Sequence, residues 1–127
     1  MEYIQRVQAA IAYAERHLGD ELTPEAVAAA TGFSLSHFHV IFLAVTGYTV
    51  ADYLRGRRLS LAAARLVTTR DPIVDIALAS GFETQESFTK AFKRLYRNNP
   101  GQFRLRPYSL SHRATFGSGT GLPIRLT

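Results

Sequence analysis

The chain contains no cysteine. That excludes disulfides, thiolate metal sites and a cysteine nucleophile. It also lacks an apolar run long enough to span a bilayer, and Met1 is followed by Glu2 rather than by a basic and apolar leader. A cytoplasmic protein without membrane contact is therefore expected. No alternation of apolar and polar residues marks a strand before residue 107, which points to an all-α fold. No proline falls between Thr49 and Pro72, so a long helix can run there. A further absence is local: residues 34–46 contain neither Lys nor Arg.

What is present suits a small folded protein. The 127 residues amount to one domain or two very small ones. At 46% hydrophobic the chain can build a core, and at 20% charged it is not a disordered polyelectrolyte. The formal net charge is +5, unevenly spread. Residues 1–48 hold two basic against five acidic side chains, whereas residues 49–127 hold thirteen against five. A basic half favours a polyanion such as nucleic acid, although a soluble basic surface gives the same count.

One short pattern occurs twice. Ala28-Ala29-Ala30-Thr31-Gly32-Phe33 is repeated as Ala77-Leu78-Ala79-Ser80-Gly81-Phe82, 49 positions later. Each copy is entered through a proline (Pro24, Pro72) and followed by two phenylalanines four apart, Phe38/Phe42 and Phe88/Phe92. A helix that stops at Gly and restarts a few residues on is a helix-turn-helix. The small Ala lets a crossing helix pack closely, and Gly supplies the positive φ of the turn.

Local signals fill in the remaining elements. Ile4, Val7, Ile11, Ala14 and Leu18 form one apolar stripe, predicting a helix over 2–18 with Gly19 as a left-handed cap. Thr23, Ser34, Thr49 and Thr84 are candidate N-caps, with Pro24 at a first helical position and Asp52 three residues after Thr49. A third helix runs to about Thr46 and ends at Gly47, and a fourth spans Thr49 to about Thr69. Asp71-Pro72 opens a fifth helix, a sixth runs to about Arg97, and Asn99-Pro100 begins a short seventh through about Arg104. The expected architecture is all-α, two helix-turn-helix subdomains joined by a long linker helix, about seven helices. The parts are 1–48, the linker helix 49–69, the second subdomain 70–106, and 107–127 as a tail or a linker to a further domain. The composition of Gly117-Ser118-Gly119-Thr120-Gly121 suits a linker.

A linker helix of 21 residues would be about 31 Å long, close to the roughly 34–36 Å that separates major-groove openings on one face of a duplex. A monomer could then cover two adjacent grooves. A plain helical bundle remains the bland reading, but it leaves the coincidence of two Gly turns, two Phe pairs and the spacer unexplained.

From Ile4 to Arg106 the sequence resembles the DNA-binding domain of the AraC/XylS transcription regulators. The most specific stretch is Gly81-Phe82 followed by Phe88-Thr89-Lys90-Ala91-Phe92-Lys93, then Pro100 and Phe103-Arg104. The first half matches through Gly32-Phe33-Ser34, His37-Phe38, Phe42, Gly47, Tyr53-Leu54 and Arg58-Leu59. The resemblance implies a sequence-specific regulator that binds asymmetric double-stranded promoter DNA, leaning towards activation through RNA polymerase. The opening residues also look like members in which a small-molecule-sensing domain follows, so any effector would act through such a domain. No cofactor and no enzymatic activity are implied; fused Cys-dependent DNA-repair chemistry has no Cys to use here, and no Ser/His/Asp constellation or phosphate loop replaces it.

In the second recognition helix, Phe88, Phe92 and Leu95 are expected to face inward. Gln85, Glu86, Thr89 and Lys90 are then candidate base readers, since Gln can pair with adenine, Lys with guanine and Glu with a cytosine amine. Lys93, Arg94 and Arg97 suit phosphates, as do Ser34, Thr84 and Arg55. In the first recognition helix the same geometry selects Ser36, His37, His39 and Val40. The family usually has Arg where this chain has Val40 and a basic residue where it has Leu43. Guanine readout by an Arg fork is therefore excluded, while Val40 could touch a thymine methyl. Leu43 could instead mark a contact with a further domain or with polymerase. His37 and His39 do not share a helix face, and no metal site is expected. His17 and His112 have no partner visible in sequence. Of Arg55, Arg57, Arg58 and Arg65, one or two should touch the DNA backbone and others pair with Asp52 or Asp75. The rival reading is a protein-interaction module with a degenerate first helix-turn-helix.

Overall fold

A computed structural model describes residues 2–105, and among these the chain is seven α-helices with no strand. They are α1 (Glu2–Arg16), α2 (Pro24–Ala29), α3 (Leu35–Thr46), α4 (Val50–Thr68), α5 (Ile73–Ala79), α6 (Gln85–Tyr96) and α7 (Pro100–Leu105). The all-α reading holds. The expectations about 107–127, including His112, lie outside the described residues. No described helix is long and apolar enough to cross a membrane. The described chain divides into two compact units, residues 2–55 and 56–105, and the division falls inside α4.

In the N-terminal unit, α1 buries Val7, Ala10 and Ala14, spaced three and four as one helical face requires. The helix ends at Arg16, and Gly19 does not take a positive φ. The left-handed cap expected there is not formed. Instead the His17 N–H donates to Ala14 O at 3.1 Å and the Asp20 N–H to His17 O at 3.0 Å. These i→i+3 closures tighten the helix end without left-handed backbone. His17 also finds a partner: its Nδ1 lies 3.1 Å from Asp20 Oδ2.

Thr23 caps α2 by accepting from the Ala26 N–H at 3.2 Å, with Pro24 in the first turn. Ala28 is buried, and Gly32 makes the turn with φ 83°. Ser34 caps α3 by accepting from the His37 N–H at 3.2 Å, and Gly47 ends it at φ 84°. Phe38 and Phe42 are buried on the inner face of α3. The first turns of α4 belong to the same unit. Val50, Tyr53 and Leu54 are buried, the Tyr53 ring meets Phe42 edge-on at 5.6 Å, and the Tyr53 hydroxyl donates to Glu15 Oε2 at 2.8 Å. Thr49 caps α4 by accepting from the Asp52 N–H at 3.1 Å, while the Asp52 carboxylate takes Arg55 at 3.0 Å.

The C-terminal unit is built on aromatics. Phe88, Phe92, Tyr96 and Phe103 join Leu59, Ala62, Leu66, Ile76 and Ala77 in one buried cluster. Ring centroids lie 5.6 Å apart for Phe88–Phe92, 4.6 Å for Phe92–Tyr96 and 5.3 Å for Phe92–Phe103. Burying each such side chain stabilises by roughly 1.5–3 kcal/mol, so the Phe-x-x-x-Phe spacing holds α6 in place. Pro72 occupies the N-cap position of α5 and makes no side-chain cap bond. The Asp71 carboxylate lies 2.7 Å from Arg65. That bond, foremost, holds the Asp71 carboxyl below the usual carboxylate range. Arg65 thus pairs with Asp71 rather than Asp75. Arg104 donates through Nε to Leu66 O at 2.8 Å and through Nη2 to Asp71 O at 2.7 Å. It satisfies a carbonyl that the end of α4 leaves without an intrahelical donor. Asn99 caps α7 by accepting from the Gln102 N–H at 2.8 Å.

Candidate nucleic-acid interface

Each unit presents the second helix of its helix-turn-helix with one face buried and the opposite face in solvent. In the C-terminal unit the turn is Gly81 at φ 91°, closed by the Phe82 N–H donating to Ala77 O at 3.2 Å. Thr84 then caps α6 by accepting from the Ser87 N–H at 3.0 Å. Because Phe88, Phe92 and Tyr96 are buried at intervals of four, the outward positions are determined. Gln85, Glu86, Lys90, Lys93 and Arg94 are exposed, Thr89 is half-buried, and Leu95 is half-buried against the core. Glu86, Lys90 and Lys93 follow one another at i, i+4 and i+7 and so share a stripe. Among the described residues Lys90, Lys93 and Arg94 take part in no salt bridge, which leaves their charge available to an anionic partner.

Several candidate phosphate contacts already have work within the fold. The Thr84 hydroxyl accepts the Ser87 N–H and donates to Ser87 Oγ at 3.0 Å. Ser34 Oγ is likewise the acceptor of a cap bond. Arg55 pairs with Asp52 on the surface, a link worth at most about 1 kcal/mol and readily exchanged for a phosphate. Arg97 ends α6 in the left-handed conformation, φ 65°, the one non-glycine residue with positive φ among those described. Its exposed side chain therefore leaves from the helix terminus rather than from its flank. Arg57 is buried and donates to Ser60 Oγ, and burial lowers the pKa of Arg58.

The first recognition helix differs. Ser36, His37, His39 and Val40 are all exposed, as is Leu43. His37, however, is engaged by an aromatic group that sequence patterns did not reveal. Its ring meets Phe33 at 4.9 Å and Tyr3 at 6.0 Å, and the Arg6 guanidinium lies 4.9 Å over Phe33. The only hint was the aromatic in the repeated Gly-Phe step; Tyr3 and Arg6 come from α1, beyond the reach of local spacing. Among the described residues no group of three or more His, Asp or Glu side chains is placed to hold a metal.

Two Gly-Phe turns, two capped second helices and two exposed outer faces define a double helix-turn-helix protein. Residues 27–106 match the family of helix-turn-helix domains of the AraC/XylS type. The chain is 44% identical over 104 residues to a protein of Bacillus subtilis (strain 168) named an uncharacterized HTH-type transcriptional regulator, YbfP. That alignment covers 82% of this chain and 35% of the relative. It is 37% identical over 106 residues to the regulatory protein SoxS of Escherichia coli (strain K12), covering 84% of this chain and 99% of that one. The DNA-binding domain of AdpA, a global transcriptional factor solved with a target DNA, superposes with a TM-score of 0.73 at 23% identity. That match covers 81% of this chain and 93% of the other, and shows the shared fold. The chain belongs to the AraC/XylS family and carries the DNA-binding domain of its transcription regulators. It spans about a third of the length of the Bacillus relative.

Proposed function

We propose that the protein regulates transcription by binding a specific double-stranded promoter site through α3 and α6, placed in two adjacent major grooves. The observation that carries this reading is the outward stripe of α6, where charged side chains stand on a helix anchored from behind by Phe88 and Phe92. In this reading Gln85, Glu86, Thr89 and Lys90 contact base edges, while Lys93, Arg94, Arg97, Arg55 and the cap residues Ser34 and Thr84 lie along the phosphates. Ser36, His37, His39 and Val40 face the other groove. The protein binds as a monomer in the bacterial cytoplasm, at the nucleoid, and activates by contacting RNA polymerase beside its site. Any small-molecule effector acts through a further domain. The relatives' regulator names and the DNA in the AdpA complex support this reading.

The test is selection of bound sequences from random duplex DNA, followed by a salt titration on the winner. Two conserved blocks in the selected pool and a steep fall in affinity with salt are expected. No enrichment, or a flat salt response, overturns the reading and favours the protein-interaction module.

A further inference from the structure

The outer face of α3 carries no Asp, Glu, Lys or Arg, since none occurs between Leu35 and Thr46. Its inner face is already filled by Phe38 and Phe42, which are fully buried. Yet Val40 is 66% exposed and Leu43 50% exposed on the opposite side. These two are not surplus core residues. A helix that is apolar on both sides is normally covered on both sides, and among the described residues nothing covers Val40 and Leu43.

We infer that this strip reads the 5-methyl groups of thymines in the groove entered by α3, so that the half-site of the N-terminal unit is specified by methyl contacts instead of ionic hydrogen bonds. The inference rests on the DNA-binding function proposed above. Among the four bases only thymine presents an apolar group to the major groove; the other edges offer donors and acceptors alone. Valine set against an adenine or cytosine amine, or a guanine carbonyl, would strip water from those groups and return no hydrogen bond. Against a thymine methyl it buries apolar surface on both sides at no such cost. Ser36, Val40 and Leu43 fall at i, i+4 and i+7 and so form one line along the helix. Val40 and Leu43 are separated by about 4.5 Å of helical rise, comparable with the roughly 3.4 Å between successive bases of a strand. The line can therefore meet neighbouring base pairs. Ser36 and His39, exposed beside it, can add hydrogen bonds. The N-terminal unit carries three basic against six acidic side chains in residues 2–55. It is poorly equipped to bind phosphates, and methyl contacts need no charge.

Deoxyuridine in place of thymine tests this, because it removes the methyl while keeping the hydrogen-bonding edge and the phosphate charge. The full chain is titrated against its selected duplex and against copies in which each thymine in turn is uracil. At one or two positions in a single half-site affinity should fall about fourfold per methyl removed. Val40→Ala should abolish the thymine–uracil difference at one of those positions while leaving the salt slope unchanged. Combining the variant with the uracil duplex isolates the Val40–methyl coupling from any change in DNA shape. Equal affinity for thymine and uracil throughout both half-sites overturns the methyl reading, as does a Val40→Ala protein that still discriminates. Failure to bind any duplex overturns the DNA-binding function itself. Retained DNA binding with no uracil effect assigns the strip to a protein partner.

Discussion

Lys90 stands at the reading end of α6, exposed and outside every salt bridge among the described residues. Lys90→Ala should weaken specific binding about tenfold and relax preference at one base pair, as selection on random duplexes would reveal. Unchanged discrimination would remove Lys90 from the base readers. Tyr96 makes a different kind of claim. Its hydroxyl is buried with no hydrogen-bond partner among the described residues, and burial pushes its pKa up to about 12, against a smaller opposing pull from Arg57. A raised pKa favours the neutral phenol in the folded state, so the stability it contributes is present below pH 10 and lost as pH rises from 10 towards 12. Tyr96→Phe should keep or raise stability at pH 7 by up to about 1 kcal/mol, since it deletes an unsatisfied group. It should also remove part of the alkaline loss, as urea melts at pH 7 and pH 11 would record. A marked loss at pH 7 would mean that the hydroxyl has a partner after all. The sequence showed that residue 96 follows Phe92 at helical spacing, but not that its hydroxyl would lie in an aromatic cluster closed by Phe103.

The elements were legible where one residue decides one end. Thr23, Ser34, Thr49 and Thr84 each accept the cap bond their position suggested. Gly32, Gly47 and Gly81 each take the positive φ. What spacing left unread were side chains engaged at a distance. Arg65 pairs with Asp71 rather than Asp75, and Arg104 reaches 38 positions back along the chain to Leu66. Spacing rules operate over about one turn and cannot register such pairs. The repeat itself suggests an experiment. A Cβ at Gly32 would meet nothing within 4 Å, and at Gly81 the Arg58 side chain, at 3.8 Å from Cδ and 4.0 Å from Nη1. Gly32→Ala and Gly81→Ala should therefore each cost about 1–2 kcal/mol in thermal or denaturant melts, a cost set by the left-handed backbone alone. A far larger loss at Gly81 would show that packing against Arg58 matters as well.

For the molecule as a whole, the duplicated motif conceals a division of labour in charge. Residues 56–105 hold nine basic against four acidic side chains, the reverse of the imbalance in residues 2–55. Val40→Arg would place a guanidinium on a recognition face that has no Lys or Arg. If α3 enters a groove, the variant should bind nonspecific duplex more tightly at low salt and steepen the plot of log affinity against log salt by about 0.9. No change in either would indicate that α3 stays outside the groove. The same asymmetry explains why the candidate site was only half legible. Charged residues at helical spacing announce the face of α6, whereas an exposed Val or Leu reads as core until burial is known.

Val50, Tyr53 and Leu54 complete the core of the N-terminal unit, and Leu59, Ala62 and Leu66 complete that of the other. Helix α4 is owned jointly, so the two copies of the motif are not interchangeable cassettes. An expression fragment of the first copy has to run through Arg55 to keep its own interior, and one of the second has to start no later than Gly56. Any exchange of halves between relatives has to be joined at that peptide bond, or one half loses part of its packing.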